Sequence, residues 1–335
     1  MGRPASRAPG RTPAERQRYT DGVRAARFLL LVTVSLLTLG AIEMALRTFA
    51  PQPLYAVQPC ERGWCHVPGA AFIRGGETRE FVARVRYNTH GLRHRETPIR
   101  KPPGVRRVLV FGDSLTEGLE VDAADLHTAH LERHLREALH PEIEVINFGV
   151  SAYDTAQEWR YFVTEGVQYA PDLVIVLWAG EWGSPFARLR EDGGVAFIPA
   201  RPARWTRDAR AWLKRSLHIA TLAVNGLGLG HTVRDVAPPS PIDPALQRAL
   251  FAVFAQASRA AGAPLLVVAL TEYGPLLAVL RDPPIPGLHV IDVARVMEPE
   301  DTWARDSHYT PRGHRKVARV LADAIILAGW LGLTR

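Results

Sequence analysis

Short, almost continuous apolar runs alternate with longer amphipathic stretches over the C-terminal two-thirds of the chain. The amphipathic stretches, at 123–140, 154–169, 243–261 and 311–329, have the spacing of apolar positions that is typical of helices. The apolar runs are typical of strands that are buried on both faces. They are RRVLVFG (106–112), EIEVINFG (142–149), PDLVIVLWAG (171–180), PLLVVAL (264–270) and LHVIDV (288–293). This alternation predicts an α/β fold with about five parallel strands in a doubly wound sheet, which binds ligands at the C-terminal ends of its strands.

A longer apolar run near the N-terminus predicts a membrane-spanning helix. Residues 28–42, FLLLVTVSLLTLGAI, contain no charged side chain. As a helix they would extend about 22 Å, and continuation to Phe49 gives about 33 Å, enough to cross a hydrocarbon layer of roughly 30 Å. A buried core helix is disfavoured because an arginine-rich flank on one side is the signature of a cytoplasmic end. We therefore expect a transmembrane anchor at 28–49.

A cleaved signal peptide is the alternative to an anchor, because a basic region followed by an apolar run suits both. The small-x-small tripeptide at 48–50 is followed by Pro51, and Ala41 and Ala45 have the wrong spacing for a cleavage site. The anchor is favoured, so residues 1–27 should be a basic cytoplasmic tail. The chain should cross the membrane once, with residues 51–335 outside the cytoplasm.

The positive charge of the chain is concentrated in that tail. Residues 1–27 contain seven arginines against Glu15 and Asp21, which accounts for +5 of the formal net charge of +7. A nucleic-acid groove would instead need its cations spread over a folded face. We expect no nucleic-acid partner, and contact with the membrane through residues 28–49.

Residues 51–103 form a segment of different character between the anchor and the first predicted strand of the sheet. They are rich in proline and arginine and contain short alternations such as FVARVRYN, which predict one or two edge strands and turns. Cys60 and Cys65 lie here and are the only cysteines. In an exported compartment they should form a disulfide, although two free thiols remain an alternative, and a zinc site is disfavoured because no other ligands lie nearby.

Residues 183–242 are too long for a simple connection between the third and fourth strands of the predicted sheet. They contain aromatic and basic clusters and a predicted helix at 206–224. Long excursions at the C-terminal edge of such sheets often carry function, which suggests a lid over the site. A solvated helical insertion is the alternative interpretation.

The stretch GDSLTEG, residues 112–118, follows the first strand of the predicted sheet. Ser114 could be a nucleophile on the strand-to-helix turn, or a polar residue that caps the next helix. A nucleophilic serine needs a base, and DSH at 306–308 follows the fifth strand, so it should lie at the same edge of the sheet. His308 could then accept the Ser114 proton while Asp306 or a nearby carbonyl orients the imidazole.

Three blocks in this order resemble those of the SGNH (GDSL-type) hydrolase superfamily: GDSLTEG, INFGVSAYD (146–154) and DSHYTPRGH (306–314). YNTHGLR (87–93) is similar to the lead-in of membrane-anchored bacterial members. This resemblance implies the bacterial inner membrane as the location, with the domain after the anchor in the periplasm or outside the cell. The pattern G-x-S-x-G of α/β-hydrolases is absent. The resemblance covers residues 85–329 and implies a flavodoxin-like hydrolase domain at 104–329, with the insertion at 183–242.

The same resemblance implies the roles of the site residues. Ser114 would be the nucleophile, His308 the base and Asp306 its orienting carboxylate, without a metal or other cofactor. The backbone amides of Ser114 and Gly149 would stabilise an oxyanion. In the third block, the family normally has an asparagine that donates a further hydrogen bond to the oxyanion. In this chain Trp182 occupies that position. Loss of one oxyanion donor can lower the rate about a hundred- to a thousandfold. The Asp-x-His spacing is also shorter than the commoner Asp-x-x-His.

Three histidines follow the GDS block, and their spacing puts His127, His130 and His134 on one face of a helix. No carboxylate or cysteine motif completes a recognisable zinc site. The favoured interpretation is a stripe that faces solvent or a lid.

The sequence therefore predicts an exported, membrane-anchored serine esterase that removes acyl groups, in the first place acetyl groups, from envelope carbohydrate or lipid. An O-acyltransferase that passes the acyl group to a polysaccharide hydroxyl would need the same triad, so it remains an alternative. A catalytically weak carbohydrate-binding module is a third hypothesis, which the tryptophan at 182 keeps open.

Overall fold

In a computed structural model of the chain, five parallel strands form the central sheet. Residues 13–49, 57–75, 80–179, 183–199, 217–220, 222, 241–270 and 274–333 are described. The strands of the sheet are β5 (Arg106–Gly112), β6 (Ile143–Asn147), β7 (Leu173–Trp178), β10 (Leu265–Ala269) and β11 (Leu288–Asp292). Their spatial order is β11-β10-β7-β5-β6, and every neighbouring pair is parallel. This is the predicted flavodoxin-like order: β6 is added on one side of β5, and β7, β10 and β11 are then added in turn on the other side.

Helices cover both faces of this sheet. The five that accompany it are α3 (His127–Ala138), α4 (Thr155–Thr164), α5 (Pro244–Ala260), α6 (Gly274–Arg281) and α7 (Pro311–Ala328), and the single turn α2 (Ser114–Glu117) follows β5 directly. One buried cluster joins the sheet to α4 and α5 through Phe162, Phe251 and Phe254. A second, on the opposite face, includes Leu131 of α3 and Leu321 of α7. The sheet is therefore doubly wound, as the sequence predicts.

The N-terminal helix α1 runs over Pro13–Phe49, so it begins within the predicted basic tail rather than at residue 28. Its segment Gln17–Phe49 is long enough to cross a membrane and contains a stretch of 18 residues with a mean hydropathy of 2.2, none of which is buried. Near its C-terminal end, Arg47 binds Glu43 at 2.8 Å. The Glu43 carboxylate also accepts the backbone amides of His218 and Ile219, at 3.0 and 2.9 Å.

Two antiparallel hairpins make up most of the described part of 51–103. Strands β1 (Val57–Cys60) and β2 (Gly63–His66) form the first, and β3 (Ala71–Gly75) and β4 (Val82–Arg86) form the second. Cys60 and Cys65 are joined by a disulfide across the first hairpin, with their Cα atoms 5.9 Å apart.

The insertion at 183–242 begins with a third hairpin, formed by β8 (Ala187–Leu189) and β9 (Val195–Phe197). It packs on α4 and α5, since Ala187 and Leu250 share a buried cluster and the ring of Phe197 stacks on Trp159 at 3.9 Å. This part of the insertion therefore belongs to the helical layer. The predicted helix at 206–224 and the proposed lid lie mostly outside the described residues, although 218–220 and 222 are helical.

Candidate active site

The turn between β5 and α2 presents Ser114 at the C-terminal edge of the sheet. Gly112 has φ of +155°, and a Cβ atom there would lie 2.1 Å from the Thr116 hydroxyl, so only glycine fits. The Asp113 carboxylate caps α2 by accepting the amide of Leu115 at 3.0 Å. Because Asp113 performs the capping, the Ser114 side chain is not needed for it.

His308 lies on a small loop between β11 and α7 that backbone hydrogen bonds close. Thr302 and Tyr309 pair in an antiparallel bridge, and the Trp303 amide donates to the His308 carbonyl at 2.9 Å. Glu80, which lies outside this loop, accepts a hydrogen bond from the Arg305 amide, with its two carboxylate oxygens at 3.0 and 3.2 Å. The residues before β4 therefore help to hold this loop against the sheet edge.

Ser114, His308 and Asp306 form a continuous chain of hydrogen bonds. His308 Nε2 lies 2.7 Å from Ser114 Oγ, and His308 Nδ1 lies 2.5 Å from Asp306 Oδ1. A carboxylate can only accept, so the imidazole proton belongs on Nδ1, and Nε2 is left to accept the serine hydroxyl. The side chains of His308 and Asp306 remain 26% and 18% exposed, which leaves access from solvent. A serine activated by a histidine in this way can act as a nucleophile.

Opposing effects set the protonation of His308. Burial lowers its pKa, but the charges of Glu120 and Asp306 and the hydrogen bond to Asp306 together raise it above the ordinary value. Glu120 lies on the far side of the imidazole from Ser114, with its Oε1 3.8 Å from His308 Nδ1, and its side chain is 3% exposed. The field around His308 therefore favours the imidazolium that a general base forms.

A buried network around Glu117, which the sequence analysis missed, holds α2 in place. Glu117 Oε1 lies 3.0 Å from His66 Nε2 and 2.5 Å from the Tyr87 hydroxyl, and Glu117 Oε2 accepts the Ser151 amide at 2.7 Å. Burial alone would raise the pKa of Glu117, but His66 and the hydrogen bonds from Ser151 and Tyr87 lower it to about 2. Partners from β2, from the residue that follows β4 and from the turn after β6 thus meet at α2.

Arg93 fixes the chain that leaves α2. Its side chain is buried, and it donates to the carbonyl of Glu117 at 2.9 Å and to those of Gly118 and Val121. Arg93 belongs to the motif at 87–93, which the sequence analysis singled out only as a resemblance. Its function in the fold is to set the path of residues 117–121.

The two backbone amides expected to form an oxyanion site differ in their surroundings. The Ser114 amide has no acceptor within the part of the chain that the structure describes. The Gly149 amide donates to Asn147 Oδ1 at 2.8 Å, and Asn147 Nδ2 donates to the Thr116 carbonyl at 2.8 Å. A substrate oxygen would have to displace Asn147 to reach the Gly149 amide.

Ala152, three residues after Gly149, has φ of 59°, which is uncommon for a residue other than glycine.

Two of the three histidines on α3 are buried, so the expectation of a solvated stripe was wrong for His127 and His130, whereas His134 is half-buried. His127 is fully buried and stacks on His314 of α7, with Nδ1 atoms 3.1 Å apart, and His130 is 7% exposed. Burial lowers the pKa of His127 to about 3, with a further contribution from His130. The stripe faces α7 because α3 and α7 pack side by side on the same face of the sheet.

Glu120, Asp306 and His308 form the one group of three potential metal ligands with compatible spacing in the described ranges; their ligand atoms lie within 4.8 Å of one another. The Nδ1–Oδ1 distance of 2.5 Å between His308 and Asp306 is that of a hydrogen bond. This geometry fits a proton between the two atoms. Trp182, which bears on the missing third-block asparagine, lies outside the described residues.

No protein-family model matches the sequence, and no curated protein matches it. Among solved structures, the chain is similar to TesA (16% identity, TM-score 0.42, covering 66% of this chain and 98% of that one). It is also similar to the lipase/acylhydrolase from Enterococcus faecalis (15% identity, TM-score 0.42, covering 69% and 98%). A catalytic mutant of Axe2, an acetylxylan esterase from Geobacillus stearothermophilus, has 11% identity and a TM-score of 0.40, covering 66% and 94%.

These similar structures include several GDSL-type lipases and acylhydrolases. The described residues form a five-stranded α/β domain in which hydrogen bonds join Ser114, His308 and Asp306 at the C-terminal edge of the sheet.

Proposed function

We propose that this chain is an exported, membrane-anchored serine ester hydrolase that removes acyl groups, in the first place acetyl groups, from envelope carbohydrate or lipid. The observation that carries the proposal is the chain of hydrogen bonds from Ser114 Oγ through His308 to Asp306, with distances of 2.7 and 2.5 Å. The assignment of Asp113 as the helix cap supports it further, because the serine hydroxyl is then free for chemistry.

In the proposed reaction, Ser114 Oγ attacks the acyl carbonyl carbon while its proton moves to His308 Nε2. Collapse of the tetrahedral intermediate breaks the bond to the alcohol oxygen, which takes the proton from His308 and leaves. Water then attacks the acyl-serine and gives a proton to His308. Collapse of this second tetrahedral intermediate breaks the bond between the acyl carbon and Ser114 Oγ, which takes the proton back from His308 as the carboxylic acid leaves. Asp306 keeps its hydrogen bond to Nδ1 throughout and stabilises the imidazolium.

The oxyanion of each intermediate needs donors that are already oriented. In our proposal the Ser114 amide is one, since it has no acceptor in the described part of the chain. Gly149 is the second only if the substrate oxygen displaces Asn147 Oδ1 from its amide. The exchange would replace a neutral acceptor by a charged one, which forms the stronger hydrogen bond.

The membrane attachment follows from α1. Its segment Gln17–Phe49 contains an unburied apolar stretch of 18 residues, and the arginines of residues 1–27 favour a cytoplasmic N-terminus. The active site would then lie on the outer side of the membrane, on the same side as acylated envelope polymers and lipids.

The proposal is tested by measuring hydrolysis of p-nitrophenyl acetate by the detergent-solubilised full chain. We expect turnover that is lost in Ser114→Ala and His308→Ala and retained in Arg319→Ala, an exposed ion-pair variant on α7. Turnover by Ser114→Ala equal to the wild type would contradict the proposal. If the wild type releases little acetate but transfers acetyl to an added oligosaccharide, the chain is the acyltransferase instead.

A further inference from the structure

Glu120 is a buried carboxylic acid whose burial the ester chemistry does not by itself require. Its side chain is 3% exposed, and its Oε2 has no hydrogen-bond partner among the described residues. An unpaired buried carboxylate is costly, so natural chains rarely keep one without a role. The nearest basic atom identified is Nδ1 of His308, 3.8 Å from Glu120 Oε1.

The fold fixes Glu120 in this position from both sides. Arg93 binds the carbonyls of Glu117, Gly118 and Val121, which bracket Glu120 in the chain. The neighbouring Leu119 packs on Phe72 and Tyr87. These contacts fix the backbone on both sides of Glu120, at a place where its side chain is buried beside His308.

We propose that Glu120 is a positioning residue for His308: its carboxylate lies beside the Nδ1 edge of the imidazole, together with Asp306, and stabilises the imidazolium that forms when His308 takes the Ser114 proton. The inference rests on the proposed function for the identity of the base. No proton passes to Glu120 in this step, because Asp306 Oδ1 already accepts the Nδ1 hydrogen at 2.5 Å. Its contribution is the attraction between the imidazolium and a carboxylate that is itself buried, with 3.8 Å between Glu120 Oε1 and His308 Nδ1.

Other charged groups around this pair act in both directions. Burial raises the pKa of Glu120 above its ordinary value, His308 and Arg74 act to lower it, and Asp306 and Glu117 act to raise it. The titratable or charged groups that face Glu120 or His308 are Arg74 on β3, Arg93 before β5, Asp113 and Glu117 at α2, Asp306 on the last loop and His314 on α7. Glu120 and His308 therefore titrate as a coupled pair.

This coupling gives the inference a distinctive effect on pH dependence. Hydrolysis needs neutral His308, so the acid limb of kcat/KM follows the protonation of that imidazole. Replacing Glu120 by a neutral side chain removes a negative charge, which makes His308 easier to deprotonate. The limb should move to lower pH by roughly one unit, while kcat on the alkaline plateau falls about tenfold because the imidazolium is less stabilised. KM should stay unchanged.

The experiment compares the full chain with Glu120→Gln and with Glu120→Met, two neutral side chains of similar length. Glu158→Gln is the matched control, because Glu158 is also buried at 3% exposure, but its nearest charges are Asp113 and Asp154 rather than His308. Rates of p-nitrophenyl acetate hydrolysis, measured as a function of pH, give the midpoint of the acid limb of kcat/KM. NMR titration of the His308 ring in a Ser114→Ala background gives the same coupling without any turnover.

We expect both Glu120 variants to lower the kinetic midpoint and the NMR midpoint, and Glu158→Gln to leave both in place. A Glu120 variant that loses rate while both midpoints stay fixed would overturn the inference, because a purely structural role predicts that result. If the wild type hydrolyses no ester at any pH, the proposed function fails. The NMR titration then still decides whether Glu120 is coupled to His308.

Discussion

Ser114 Oγ lies 2.7 Å from His308 Nε2 although 194 residues separate them in the chain. Parallel topology brings them together, because Ser114 follows β5 and His308 follows β11, and the C-terminal ends of parallel strands meet at one edge of the sheet. Asp306 then needs only to lie two residues before His308 to reach the opposite nitrogen of the ring, as its 2.5 Å hydrogen bond demonstrates.

The Glu117 network should contribute measurably to stability. Glu117→Gln should lower the free energy of unfolding by roughly 3 kcal/mol near neutral pH, because it leaves His66 without its buried carboxylate. Urea unfolding of the solubilised chain, followed by tryptophan fluorescence, measures the difference. The matched control is Glu96→Gln, an exposed glutamate that binds Thr89, which should change stability by less than about 0.5 kcal/mol.

The same network predicts a pH dependence of stability. The pKa of Glu117 is lowered to about 2 in the folded chain, below its ordinary value of 4.5. A carboxyl group whose pKa is lower in the folded chain than in the unfolded chain stabilises the fold at every pH above the unfolded pKa. This contribution is lost as the pH falls from about 4.5 towards 2. The stability difference between wild type and Glu117→Gln should therefore shrink from pH 7 to pH 3. An equal difference at both pH values would contradict the assignment of an ionised Glu117.

The orientation in the membrane is predicted by the arginines before the apolar helix. Protease added to intact spheroplasts should digest residues 51–335 and spare an epitope placed at the N-terminus, because positively charged flanks stay in the cytoplasm. Permeabilised cells, in which the epitope is also digested, are the control. Protection of the large domain in intact spheroplasts would contradict the anchor and its orientation.

The disulfide is tested by the chemistry of its two thiols. The Cα separation of 5.9 Å between Cys60 and Cys65 is within the range that a disulfide spans. Mass spectrometry after iodoacetamide treatment should find neither cysteine alkylated without reduction, and both alkylated after reduction. Two alkylated cysteines in the unreduced chain would contradict both the bond and export to an oxidising compartment.

Local sequence patterns correctly predicted the strands of the central sheet. Each of the five apolar runs contains one strand of the sheet, because a strand that is buried on both faces must be apolar throughout. Ser114, His308 and Asp306 were found because they belong to short motifs at predicted strand ends. The hydrogen bonds that join them agree with the roles inferred from the motifs, which remain a proposal.

Contacts between distant residues were not predictable in the same way. His127 has the spacing of an exposed stripe, and its burial depends on His314, which lies 187 residues further along the chain. Glu117 and Glu120 look like ordinary polar residues of a turn, and their burial depends on β2, β3 and β4. No local pattern of hydrophobic and polar positions carries such information, because it arises only when separate elements pack together.

Covalent labelling of the serine tests the central claim most directly. The solubilised full chain is treated with a fluorophosphonate probe, and the modified residue is identified by mass spectrometry. An activated serine with a site for developing negative charge should react, so we expect a single adduct on Ser114. Labelling should be absent in Ser114→Ala, reduced by orders of magnitude in His308→Ala, and unchanged in His134→Ala on α3. An unlabelled wild-type chain that is folded, or an adduct on another serine, would contradict the assignment of Ser114 as the nucleophile.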